Sequence, residues 1–173
     1  LDSDSSEEYS DVAKEFSDYF YKTQKEDREF FQNILSYFTK MRHITGLAKV
    51  DEAYNFVIDF LESTERKLCV FTHHIDVREI LVERLNAYLR ERGQREALEL
   101  VGNMDSSEKE KLKDKFNFDP AYRILIASTL ASGEGHNLQH ACSDCLMLER
   151  QWNPANEEQA EFRFKRPGQK ASA

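Results

Sequence analysis

The sequence predicts an α/β fold: a three-layer lobe with a mainly parallel sheet, preceded by a helical attachment. Short apolar runs at Leu68 to His73 (LCVFTH), Ala97 to Val101 (ALELV), Tyr122 to Ser128 (YRILIAS) and Asp144 to Leu148 (DCLML) alternate with stretches whose apolar residues recur every three or four positions. Strands separated by helices of this length join through right-handed crossovers, which place helices on both faces of a parallel sheet. A chain of 173 residues with 40% apolar content can bury one core but is short for two complete domains.

In chain order, Leu1 to Ser10 is rich in Ser, Asp and Glu, and reads as a lead-in without regular structure over 1–10. From Val12 to about His43, the residues Phe16, Tyr19, Phe20, Phe30, Phe31, Ile34, Leu35 and Phe38 recur at helical intervals and predict an attachment over 11–45. Gly46 reads as a break. Asp51 then reads as the N-cap of a helix through Val57, Phe60 and Leu61, opening a lobe over 46–173. After the first strand, Val77, Ile80, Leu81, Leu85 and Leu89 predict a helix ending near Gly93. Ser106 or Ser107 is placed to cap another through Leu112 and Phe116.

No run approaches the roughly 20 apolar residues that span a bilayer, and the first twenty residues are acidic, unlike an export leader. The expectation is an unexported, soluble protein with no membrane partner. Cys69, Cys142 and Cys145 form no disulfide framework and fit a reducing intracellular compartment, which is the cytoplasm or nucleoid if the source is bacterial and the nucleus if it is eukaryotic. The net charge of −8 argues against a broad nucleic-acid surface. Seven acids against Lys14 in residues 1–20 account for six of those charges, so the other 153 residues carry −2 and a local patch is sufficient.

In open parallel sheets ligands bind beyond the carboxyl ends of the strands, so the loops after His73, Val101, Ser128 and Glu149 should converge on one edge. In the loop after Ser128, Gly133 and Gly135 let the backbone approach a phosphate, and the Thr129 hydroxyl and Asn137 amide are compatible with one. An ordinary tight turn uses a glycine pair as well. Further on, Arg163 and Arg166 share one face of a helix, and their guanidinium forks suit a transferring γ-phosphate. The alternative is a solvated basic face paired with Glu157, Glu158 and Glu161.

In order, FTHHIDV, Gly102 with the Lys109 to Phe116 spacing, STLASGEGHNLQ, LERQWNPANEEQA and RFKRPGQ resemble the Swi/Snf-type ATPases of helicase superfamily two, the annealing-helicase branch in particular. The resemblance runs from about Met41 to Gln169 and implies a RecA-like C-terminal lobe. It implies that Thr72 and His73 (motif IV), Ser128 and Thr129 (motif V), and Trp152 and Asn153 face DNA. It further implies that Gly133, Gly135 and Asn137 shape a nucleotide-facing loop, and that Gln159, Arg163 and Arg166 (motif VI) reach ATP, the two arginines as catalytic groups. The implied cofactors are ATP and Mg²⁺, the metal being held by a lobe missing from this chain. The implied partners are double-stranded DNA and the N-terminal RecA-like lobe of the same polypeptide, and the isolated domain is expected to be monomeric. DNA-dependent ATPase activity is then a property of the full-length protein, with the isolated chain inactive. Departures from the family pattern fall at Lys109, His136, Phe162 and Pro167; Pro167 lacks an N–H donor and would end the motif VI helix early.

No GxxxxGK[ST] phosphate cradle occurs. Asp51-Glu52-Ala53-Tyr54 superficially resembles a metal-binding carboxylate box, but no hydrophobic strand precedes it, so it reads as a helix start. A nucleotide-holding lobe is therefore expected elsewhere in a longer protein. Cys142-x-x-Cys145, with His140 nearby, lacks the second ligand pair of a zinc site and reads as a strand-entry turn; no metal site is expected. The rival reading is a non-catalytic, degenerate lobe that scaffolds partners through its acidic, aromatic N-terminal helices. A stand-alone dinucleotide-binding enzyme is disfavoured because G-x-G-x-x-G spacing is lacking.

Overall fold

The acidic opening stretch is helical from Ser3 onward. In the computed structural model, which describes residues 3–23, 28–129, 142 and 144–149, the chain divides into two units, Leu1–Asp51 and Glu52–Ala173. In the first, helix α1 (Ser3–Lys22) packs on helix α2 (Arg28–Ala48). Residues 3–10, expected without regular structure, belong to α1. The acids support it: Asp4 lies in the first turn, where the helix dipole favours an anion, and Asp11 and Asp18 pair with Lys14 and Lys22 one turn on, at 3.5 and 3.0 Å. Between the helices, Phe16 lies 5.1 Å from Phe38, Tyr19 stacks on Phe30 at 5.9 Å, and the Asn33 amide donates to the Tyr19 hydroxyl at 2.9 Å.

Gly46 does not end the helix. Helix α2 continues to Ala48, and Lys49 alone, its N–H bonded to the Gly46 carbonyl at 3.2 Å, separates it from α3 (Val50–Ser63). An interior glycine costs only about 1 kcal/mol relative to alanine, which neighbouring apolar burial offsets. Asp51 therefore lies inside α3 rather than capping it, and Asp51 to Tyr54 is helical.

In the second unit, β1 (Leu68–Thr72), β2 (Leu98–Leu100), β3 (Ile124–Ser128) and β4 (Asp144–Met147) form a parallel sheet in the order β2-β3-β1-β4. Helix α4 (Ile75–Glu91) crosses from β1 to β2, and α5 (Ser106–Phe118) from β2 to β3. Every residue of β1 and β3 is buried, as expected of parallel strands covered on both faces. Cys69, Phe71, Leu125 and Ala127 share one face with Leu100 and Phe116 of α5. The alternating residues Leu68, Val70, Ile124 and Ile126 turn to the other face and are equally buried. This is the three-layer α/β lobe the sequence predicts.

At the amino ends of the central strands, two basic side chains finish two helices. The Arg123 guanidinium donates to the carbonyl of Leu61 (3.1 Å) in the last turn of α3 and to those of Thr64 and Arg66 just beyond it. The Lys67 ammonium donates to the carbonyls of Phe116 and Asp119 (2.8 Å) at the end of α5. The Leu61 and Phe116 carbonyls belong to the last turns of their helices, where carbonyls lack intrahelical partners, and a cation matches the dipole there. Helix α4 ends where expected: Gly93, at φ +66°, donates to Arg90 O (3.0 Å) and Gln94 N–H to Leu89 O (2.9 Å).

The cap of α5 differs from expectation. Asp105, rather than Ser106 or Ser107, is the N-cap: its carboxylate accepts from Glu108 N–H at 2.8 Å, and the Glu108 carboxylate accepts from Asp105 N–H at 3.2 Å. A reciprocal box satisfies two orphan donors where a lone serine satisfies one. Replacing Asp105 with alanine should lower stability by about 1 kcal/mol, read as a shift in the urea midpoint without a change in slope.

Candidate functional site

The parallel sheet brings the residues immediately following β1, β3 and β4 to one edge, and hydrogen bonds link them there. Thr129 N–H donates to the Thr72 carbonyl at 2.8 Å and Leu148 N–H to the Phe71 carbonyl at 3.1 Å, so both neighbouring loops begin from the end of β1. Just beyond, the Glu149 carboxylate accepts three hydrogen bonds. Its Oε2 takes His73 N–H at 2.7 Å and His74 N–H at 2.9 Å, and its Oε1 takes the His74 ring Nδ1. A carboxylate only accepts, so the proton between them sits on His74 Nδ1. His73 Nδ1 in turn lies 3.0 Å from the Thr129 hydroxyl.

Glu149 is 2% exposed. An ionised carboxylate is buried at this depth only where donors replace its water, and three are present. The two backbone donors immediately precede α4, where the helix dipole also favours an anion. The backbone amides that begin this helix are thus already matched to a negative charge from the chain itself.

Of the DNA-facing candidates, four lie in this cluster. Thr72 is 1% exposed and serves the ladder through its carbonyl; Ser128 and Thr129 are 8% and 7% exposed. His73, half-buried, is the most accessible of the four. Trp152, Asn153, Gly133, Gly135, Asn137, Gln159, Arg163 and Arg166 lie outside the described residues. Glu149 itself was given no role by the sequence reading, although its signal was present. A carboxylate directly after an apolar strand, at the edge where a His-His pair ends the neighbouring strand, has its donors close at hand.

The C-x-x-C pair is divided by environment. Cys142 is buried with its Sγ 3.1 and 3.0 Å from the carbonyls of Lys67 and Asp144, whereas Cys145 is exposed on β4. Burial, more than any neighbouring group, pushes the Cys142 thiol up to about 12. Among the described residues no group of three or more His, Cys, Asp and Glu side chains is arranged to hold a metal ion.

Residues 48–168 match the family model described as the helicase conserved C-terminal domain. The chain belongs to this family. Over 171 residues it is 29% identical to the DNA annealing helicase and endonuclease ZRANB3 of Homo sapiens, a match covering 94% of this chain and 15% of that protein. Over 139 residues it is 34% identical to the SNF2 domain-containing protein CLASSY 2 of Arabidopsis thaliana, covering 78% of this chain and 11% of that one. The chain therefore spans about 15% or less of the length of these relatives. Its fold is similar to the Sulfolobus solfataricus SWI2/SNF2 ATPase C-terminal domain, with a TM-score of 0.74 at 20% identity over 90% of this chain and 71% of that one. The SWI2/SNF2 ATPase core of the same organism, solved in complex with dsDNA, gives 0.73 at 20% identity over 100% of this chain and 37% of that one. The Swi/Snf resemblance carried by the motifs is thus shared by the relatives of this helicase C-terminal lobe.

The environments of the two thiols predict their chemistry. Only the thiolate is nucleophilic, and a thiol at about 12 is ionised to roughly one part in ten thousand at pH 8. Iodoacetamide at that pH should label Cys145 and leave Cys142 unmodified until the protein unfolds, as read by peptide mass analysis. The raised value also has a stability consequence of definite sign. Above the ordinary value of 9.0 the unfolded thiol loses its proton while the folded one keeps it up to about 12, so stability falls with rising pH across that window. The loss approaches about 1.4 kcal/mol per pH unit and should be absent from a Cys142→Ala variant compared in parallel.

Proposed function

We propose that this lobe is the second half of an ATP-dependent double-stranded DNA translocase. In this reading Arg163 and Arg166 reach ATP bound by the N-terminal lobe of the same polypeptide, and the loops after β1 and β3 grip one DNA strand. The observation that carries the reading is that the family match over 48–168 spans the positions after β1 and β3 and includes Arg163 and Arg166, three residues apart. The likeness in fold to a SWI2/SNF2 core bound to dsDNA supports it.

ATP·Mg²⁺, when bound, supplies the phosphoryl group and a metal that neutralises its charge. The residues described here fit a complementary role. The Glu149 carboxylate is taken up by three donors, which favours placing the Mg²⁺ ligands on the other lobe. Arg163 and Arg166 would neutralise charge developing on the transferred group without exchanging a proton, as guanidinium groups do at such sites. Closure of the two lobes would bring them in, and reopening after hydrolysis would advance the lobe along the backbone. With −2 net charge outside the first twenty residues, the grip rests on few phosphate contacts.

The scaffold reading has one observation in its favour: Phe20, Tyr21, Phe31 and Leu35 are exposed on α1 and α2. Turnover by the full-length protein separates the two readings. Arg163→Ala or Arg166→Ala should lower DNA-stimulated ATP hydrolysis by about 10³-fold, the scale of a lost transition-state arginine. Unchanged turnover would favour the scaffold, and robust ATP hydrolysis by this chain alone would refute the half-site.

A further inference from the structure

Glu149 touches no accessible surface where a substrate could meet it, yet it fixes the shape of the loop that ends β1. Oε2 holds two successive peptide N–H groups, those of His73 and His74, and Oε1 holds the His74 ring. Two oxygens with three donors determine the orientation of both peptide planes, and with them the direction in which the His73 ring leaves the backbone. That ring meets the Thr129 hydroxyl at 3.0 Å and the His74 ring edge-on at 5.0 Å. His73, His74, Thr129 and Glu149 consequently form one hydrogen-bonded unit whose central acceptor is a single buried carboxylate.

We propose that Glu149 is a positioning residue for nucleic-acid recognition: it holds the β1–α4 loop in the form that presents His73, braced against the Thr129 hydroxyl, to a phosphodiester backbone. The inference rests on the reading above, in which this edge of the sheet meets DNA. It goes beyond that reading by assigning affinity for DNA to a residue that never contacts it. The carboxylate cannot act on phosphate directly, since it is buried and carries the same sign of charge.

Charge supplies a test of sign. Removing a negative group near a phosphate backbone should tighten DNA binding if electrostatics alone governs the site. Loss of positioning weakens it instead. In the full-length protein, Glu149→Gln keeps a carbonyl oxygen able to accept both backbone N–H groups, but its amide can bond the His74 ring only if the ring moves its proton from Nδ1 to Nε2. Glu149→Ala keeps none of the three bonds.

The measurement is DNA-stimulated ATP turnover across a titration of double-stranded DNA, with direct DNA binding by fluorescence anisotropy at fixed salt. The half-saturating DNA concentration should rise in the order wild type, Gln, Ala, by about threefold and about tenfold, and by more than turnover at saturating DNA falls. A purely structural role would lower the thermal midpoint without this split. If Glu149→Ala does not fold, Glu149→Gln decides alone, and DNA affinity equal to or tighter than wild type overturns the proposal. Wild-type protein that neither binds DNA nor responds to it overturns the underlying reading along with this one. A DNA-stimulated wild type with unaltered Glu149 variants overturns this inference only.

Discussion

Two adjacent parallel strands with no solvent-facing residue set the terms for the second unit. With β1 and β3 buried at every position, their hydroxyl side chains are confined to the last residue of each, Thr72 and Ser128, and the charged groups fall beyond their ends. The residues just before them are Lys67 and Arg123, which meet the carboxyl ends of α5 and α3. At the opposite edge Glu149 meets the amides that precede α4. Cations stand at helix carboxyl ends and an anion at a helix amino end, the sense that the helix dipoles favour in each case. The sheet is thus bounded by charge at both edges, each charge placed by the strand beside it.

These charges fix geometry more than they add stability. A hydrogen bond to a charged group contributes about 1.5 to 3 kcal/mol, whereas desolvating a carboxylate or ammonium costs several kcal/mol. Three such bonds to Glu149 roughly offset its burial, which leaves conformational definition as the main gain. Lys67 shows the same opposition: desolvation holds its ammonium below the usual lysine value, with Asp119 and then Cys142 acting the other way. Burial that brings little net stability is informative where it occurs beside a candidate binding edge. A hydrophobic residue in place of Glu149 would leave the three donors unsatisfied, so the carboxylate and the loop form a single unit.

The apolar runs made the strands legible, because continuous burial writes itself into composition: LCVFT and ILIAS have no other economical place than a sheet covered on both faces. Gly93 was legible as the end of α4 because it occupies a left-handed position that side chains disfavour. The misreadings have local causes. The serine-rich, acidic opening of the chain has the composition of an unstructured segment, yet the acids of α1 sit where dipole and lysine partners favour them. Gly46 looked like a break because its intrinsic penalty was visible and the burial that offsets it was not. Glu149 escaped because its three partners lie 75 and 76 residues away, and only the β1–β4 register brings them within reach. The motif resemblance supplied Thr129 and His73 as separate candidates, and the structure shows them bonded to each other.

The amino end of a helix that follows a parallel strand is an ordinary place to receive a phosphate, because its free amides and dipole both favour an anion. Here the chain fills that position itself. With the His73 and His74 amides held by Glu149, an incoming phosphate at this loop has to be met by side chains, and His73 is the most accessible of the residues first considered for that contact. A histidine and a hydroxyl make directional contacts rather than a strong field, in keeping with a chain that carries only −2 outside its first twenty residues. Such a surface gains little from long-range attraction and depends on the loop being held in one shape before the ligand arrives. That dependence gives a buried carboxylate of the same sign as DNA a reason to stand one layer behind the contact.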